Sequence, residues 1–122
     1  MSLQYWKSEH HDALALVSTY AEMYDVVRKV IAGMPAPRGQ VCGPISTGGA
    51  GLVEANLVCL GEAVTRLTEM GYTIFSQEPL QKHFGRIKKL QTDTEFGQYN
   101  TALLDDLYRP LFESGEIHTL YF

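Results

Sequence analysis

The residues Gly43-Pro44-Ile45-Ser46-Thr47-Gly48-Gly49-Ala50-Gly51 have the make-up of a backbone cradle for an anion. Glycine lets a ligand come close to bare main chain. A helix starting just beyond it offers unpaired N–H groups and a partial positive charge to a phosphate or carboxylate. The stretch has no Gly-Lys-Ser/Thr and is not Gly-x-Gly-x-x-Gly, so its meaning depends on where the fold puts it. The alternative is a surface turn of no special purpose. A second candidate is Gln77-Glu78, a carboxamide beside a carboxylate, which suits hydrogen bonding to a sugar or a base. The plain alternative is a pair of polar loop residues. The third is Asp105-Asp106. Neighbours on a helix point about 100 degrees apart, so the two cannot form a facing dyad; one reaches a cleft or both are solvated. Lys82, His83, Arg86, Lys88 and Lys89 form a basic cluster, read as a solvated helix face with phosphate contact as the lesser reading. The four histidines are scattered with no HxxxH or HExxH, and no metal site is expected.

These residues need elements to position them. Apolar residues from Ala13 to Ile31 recur at spacings of three and four, which predicts one helix from Ser8 to Gly33. Met34 to Gly39, with two prolines, reads as an extended connector. Gln40-Val41-Cys42 is a short buried strand stopping at Gly43-Pro44. Val53 to Met70 is a periodic helix with Leu57, Leu60, Val64 and Leu67 on one face, closed by Gly71. Tyr72-Thr73-Ile74-Phe75 is a second strand. Strand, glycine-rich turn, helix and strand make one βαβ unit, with parallel strands and a right-handed crossover. Leu80 to Leu90 is a short helix with Pro79 in its first turn. Thr101 to Ser114 is a helix capped by Asn100, kinked by Pro110 and ended by Gly115; Ile117 to Phe122 is a third strand. The expected class is α/β, a flavodoxin-like three-layer parallel sheet of order 2-1-3. Residues 1–38 would be an N-terminal helix and linker, and 39–122 the α/β domain.

Composition sets outer limits. A chain of 122 residues, 45% apolar, can bury one core, and 20% charged residues argue against disorder. A net charge of −4 argues against a nucleic-acid binder. No apolar run approaches the roughly 20 residues of a membrane helix, and the polar stretch Trp6-Lys7-Ser8-Glu9-His10-His11 is unlike a secretory signal. Cys42 and Cys59 form no CxxC and are read as buried thiols in a reducing, cytoplasmic setting. Three strands are about half of a doubly wound sheet, so either a second copy completes it or the natural chain continues past Phe122, which the resemblance below favours.

Val41-Cys42-Gly43-Pro44-Ile45-Ser46, Asn56, Leu60, Ala63, Leu67, Gly71-Tyr72, Ile74-Phe75 and Pro79 together resemble the nucleoside 2-deoxyribosyltransferase-like superfamily. The likeness is to its small branch with Gly-Pro-Ile/Met-Ser/Thr after the first strand, and it spans Gln40 to Phe122. It implies cleavage or exchange of an N-glycosidic bond by a retaining double displacement, without cofactor, in a cytoplasmic homo-oligomer acting on a small nucleoside or nucleotide. Gly43, Pro44, Ile45 and Ser46 would shape the sugar or phosphate pocket, with Asn56, Gln77 and Glu78 lining it. Asp106, or Asp105 if the register slips by one, would contact the sugar hydroxyl or the leaving base. The family's nucleophilic Glu follows the third strand, and no residue here matches it. A non-catalytic nucleotide or nucleotide-sugar binding module is the alternative.

Overall fold

The structure, a computed structural model, describes residues 5–42, 53–91 and 101–122. Where periodicity predicts one long helix there are two, α1 (Ser8–Leu16) and α2 (Tyr20–Ala32). Thr19 makes the break. Its hydroxyl oxygen accepts from the Glu22 N–H at 3.1 Å. The Glu22 carboxylate in turn accepts from the Thr19 hydroxyl at 3.1 Å and from the Ser18 N–H at 3.2 Å. Such reciprocal capping starts a new helix at Tyr20. Leu16, assigned to the apolar face by its spacing, is 82% exposed as a result.

The first strand, β1 (Arg38–Val41), begins earlier than the expected Gln40–Cys42. Cys42 still donates its N–H to the Tyr121 carbonyl at 2.7 Å. After α3 (Val53–Glu69), Gly71 takes φ +96, and the Tyr72 N–H reaches back to the Leu67 carbonyl at 3.1 Å. Only glycine adopts that conformation freely, so the helix stops as expected. β2 (Thr73–Phe75) and α4 (Glu78–Leu90) follow, with Pro79 in the first turn of α4.

The last helical stretch is not one kinked α-helix. α5 (Thr101–Leu103) runs into a π-helical turn (Leu104–Tyr108) and then α6 (Arg109–Glu113). The wide turn is sealed by the Arg109 N–H, which bonds the Leu104 carbonyl. Pro110 explains its position: the ring would collide with the carbonyl four residues back in a regular helix, and widening the preceding turn relieves this. β3 (Thr119–Tyr121) is shorter than the expected Ile117–Phe122.

The three strands form a parallel sheet of order β2-β1-β3. Gly39 aligns with Ile74 and Thr119, and Gln40 with Phe75 and Leu120. Neighbouring residues of a strand point to opposite faces. Ile74 and Val41 accordingly meet Leu60 and Val64 of α3 on one face. Phe75 joins Leu14, Tyr20, Met23, Phe84, Ile87, Leu107 and Leu111 on the other. The arrangement is α/β in three layers, consistent with a flavodoxin-like fold. Residues before Arg38 supply more than half of the larger apolar cluster, so the N-terminal helices form part of a layer against the sheet.

Candidate functional site

β1 and β2 lie side by side and parallel, so their carboxyl ends open together, where ligands bind in open α/β sheets. Buried polar side chains collect there. Gln40, Asn56, Ser76, Gln77 and Gln81 are all buried, and each stands on a strand end or on the half of a helix nearest it. Burying a carboxamide is unfavourable unless its hydrogen bonds are met, so such a concentration needs a reason.

The turn leaving β2 is held from several sides. The Trp6 indole N–H donates to the Ser76 carbonyl at 2.8 Å, and the Trp6 ring lies 6.0 Å from that of Phe75. Gln77 crosses from the end of β2 to the end of β1: its Nε2 donates to the Val41 carbonyl at 3.2 Å. The Tyr108 hydroxyl donates to Gln77 Oε1. Gln77 is 6% exposed. Two strands and the π-helical turn are thus joined through one carboxamide.

Glu78, the next residue, goes elsewhere. Its Oε1 packs against Gly61 of α3, so closely that a Cβ on Gly61 would stand 2.6 Å from it. Among the described residues that oxygen is buried without a hydrogen-bond partner, and burial pushes the Glu78 carboxyl above its ordinary value. Glu78 and Gly61 wall an open groove of about 390 Å³ with Thr65 and Arg66. Gln77 and Glu78 therefore serve opposite sides of the sheet, Gln77 toward Tyr108 and Glu78 toward α3. Asp105 and Asp106 are both exposed. It is Tyr108, two residues on, that reaches Gln77. A larger depression of about 680 Å³ lies between α2 and the end of α6, away from the strand carboxyl ends.

Gly43, Pro44, Ile45 and Ser46 lie outside the described residues, as does Asn100. Asn56, expected in the pocket, is buried on the first turns of α3. The basic cluster divides. Arg86 turns inward and donates to the carbonyls of Val17 at 2.6 Å and Leu14 at 3.2 Å, while Lys82 and Lys89 are exposed. Of the two expected buried thiols, Cys59 is exposed, because its position falls off the α3 stripe of Leu57, Leu60 and Val64. Cys42 is half-buried, which pushes its thiol up. Among the described residues no group of three His, Cys, Asp or Glu side chains could hold a metal ion, and no helix is long and apolar enough to cross a membrane. No protein-family model matches the sequence, and neither a curated protein nor a solved structure does.

Proposed function

We propose that the chain binds a nucleoside or nucleotide at the carboxyl ends of β1 and β2 and acts on its N-glycosidic bond, by cleavage or by 2-deoxyribosyl transfer. The observation that carries this reading is the buried Gln77 carboxamide, held between Val41 and Tyr108 at the mouth of a parallel sheet. A fixed amide there suits the directional hydrogen bonding of a base or sugar. In a retaining double displacement a carboxylate forms a bond to the anomeric carbon as the C–N bond breaks. The base departs with the bonding pair and takes up a proton; water or a second base then displaces the carboxylate. Asp106 or Asp105 would assist at the sugar hydroxyl or the leaving base, after a change of side-chain position that brings it inward. No described carboxylate is assigned as nucleophile.

One observation favours a second reading, a non-catalytic nucleotide or nucleotide-sugar binding module. The carboxylates of Glu78, Asp105 and Asp106 do not converge beside Gln77. Incubating the protein with ribo- and deoxyribonucleosides and their 5′-monophosphates, with chromatography for free base and calorimetry for binding, separates the readings. Base release that is lost in Gln77→Ala supports the enzyme. Heat of binding without release supports the module. Neither signal across the panel rejects both.

A further inference from the structure

A carbonyl and a hydroxyl flank Gln77, and they do not have equivalent freedom. The Val41 carbonyl can only accept, so the Gln77 atom facing it at 3.2 Å must be Nε2. That leaves Oε1 facing Tyr108, whose hydroxyl therefore donates. The amide cannot be turned over without opposing two carbonyl oxygens. Its second N–H has no partner among the described residues, on a side chain that is 6% exposed. A buried donor of this kind is unfavourable until something accepts from it.

The π-helical turn is what brings the hydroxyl there. Tyr108 is the last residue of Leu104–Tyr108 and is itself buried, with its ring stacked on Phe112 at 5.9 Å between centroids. From these contacts we infer that Tyr108 is a positioning residue: it fixes the Gln77 carboxamide so that the site presents an N–H donor to its ligand, and so selects a carbonyl acceptor over an amino group. The ligand part of this inference rests on the nucleoside reading above; the positioning part does not. With Tyr108→Phe the oxygen loses its donor and the carboxamide is free to swing from Val41 and offer either end. Selection between acceptor and donor is then lost while the ligand still binds.

The test has two arms on the full chain. In the first, ¹⁵N relaxation of the Gln77 side-chain amide is measured without ligand in the native protein and in Tyr108→Phe. A rigid amide in the native chain that becomes mobile in the variant supports positioning; equal rigidity in both overturns it. In the second, uridine and cytidine, which exchange an oxo for an amino group while the neighbouring ring nitrogen changes from N–H to acceptor, are titrated against each protein, as are inosine and adenosine. The native chain should favour the oxo member of at least one pair by roughly tenfold, the effect of facing a buried donor with another donor. Tyr108→Phe should bring that ratio to about one, with the oxo ligand still bound. A native ratio of one, or a ratio unmoved by Tyr108→Phe, overturns the selectivity. If no nucleoside binds the native chain, the nucleoside reading falls and takes the selectivity with it, while the relaxation arm still decides the role of Tyr108.

Discussion

Among single side chains, Glu78 is the carboxylate whose surroundings invite a change. Burial holds its carboxyl above the ordinary value, and its Oε1 has no partner among the described residues. The folded chain therefore holds this proton more tightly than the unfolded chain does. Its contribution to stability is complete below the ordinary Glu range and is lost as pH rises through the raised value. Solvent reaches the group, so the effect is modest. Gly61 is the wall that confines it, and a methyl there would meet the flexible end of the Glu78 side chain, not backbone. Gly61→Ala should push the carboxylate outward into water. Alanine is better in a helix than glycine by about 0.5–1 kcal/mol. The expected outcome is a protein as stable as the parent or more so at pH 7, with the Glu78 titration, followed by NMR, moved down toward the ordinary range. A less stable variant with unmoved titration would show that the side chain cannot leave. The sequence marks Gln77 and Glu78 together because both follow a strand. It does not show that they part, since that depends on Gly61 admitting one and on Tyr108 receiving the other. Tyr108 goes unmarked for a related reason: its reach depends on a widened turn, and the adjacent carboxylates Asp105 and Asp106 draw the eye instead.

At the scale of elements, the break between α1 and α2 is the feature that periodicity hides. Ala13, Leu16, Val17 and Tyr20 keep helical spacing across a break, while the sign of the break is the pair Thr19 and Glu22, a capping box inside an apolar run. Periodicity reads the sheet better, because glycine stops at Gly71 and Gly115, both at positive φ, bound its elements. Breaking the helix leaves carbonyls at the end of α1 short of helical partners, and Arg86 donates to two of them, Val17 and Leu14, the second of which also accepts from the Val17 N–H at 3.4 Å. Arg86→Ala should lower stability by about 2–3 kcal/mol, the scale of charge-assisted bonds whose acceptors are left buried. Urea denaturation measures it, and a change under about 0.5 kcal/mol, the level of an ordinary surface substitution, would mean water replaces the guanidinium. His83 supplies a second readout. Its pKa is held down by burial first, then by Arg86, Lys82 and His11. The unfolded chain thus takes this proton before the folded one, and stability should fall as pH drops below the ordinary His range toward the lowered value. Removing Arg86 should move the His83 titration upward.

Over the whole molecule, the sheet depends on how closely β3 can approach β1. At its amino end the pairing is clamped: the Arg38 N–H donates to His118 Nδ1 at 2.9 Å, the His118 N–H returns to the Arg38 carbonyl at 2.8 Å, and Arg38 pairs with Glu116 at 2.9 Å. One register position along, the α3 face of β1 is Gly39, and the Tyr121 ring lies over it. A Cβ at Gly39 would stand 2.6 Å from Tyr121 Cε2, 3.2 Å from Ile74 Cδ1 and 3.4 Å from the Thr119 carbonyl oxygen. Ile74 can turn its terminal methyl away. The tyrosine ring is rigid and has Tyr72 edge-on at 6.0 Å between centroids, so it gives only by displacing β3. Gly39→Ala should therefore destabilise the fold by about 1–3 kcal/mol, as overpacking does, even though alanine would otherwise favour an ordered strand over glycine. The ring can be distinguished from the rest of the strand by a cycle with Tyr121→Ala. Contacting residues do not add, so in the Tyr121→Ala background the Gly39→Ala penalty should shrink by about 1 kcal/mol or more. An undiminished penalty would place the collision in the backbone of β3. The order β2-β1-β3 would then rest on a glycine for the path of the main chain, independent of the side chain that covers it.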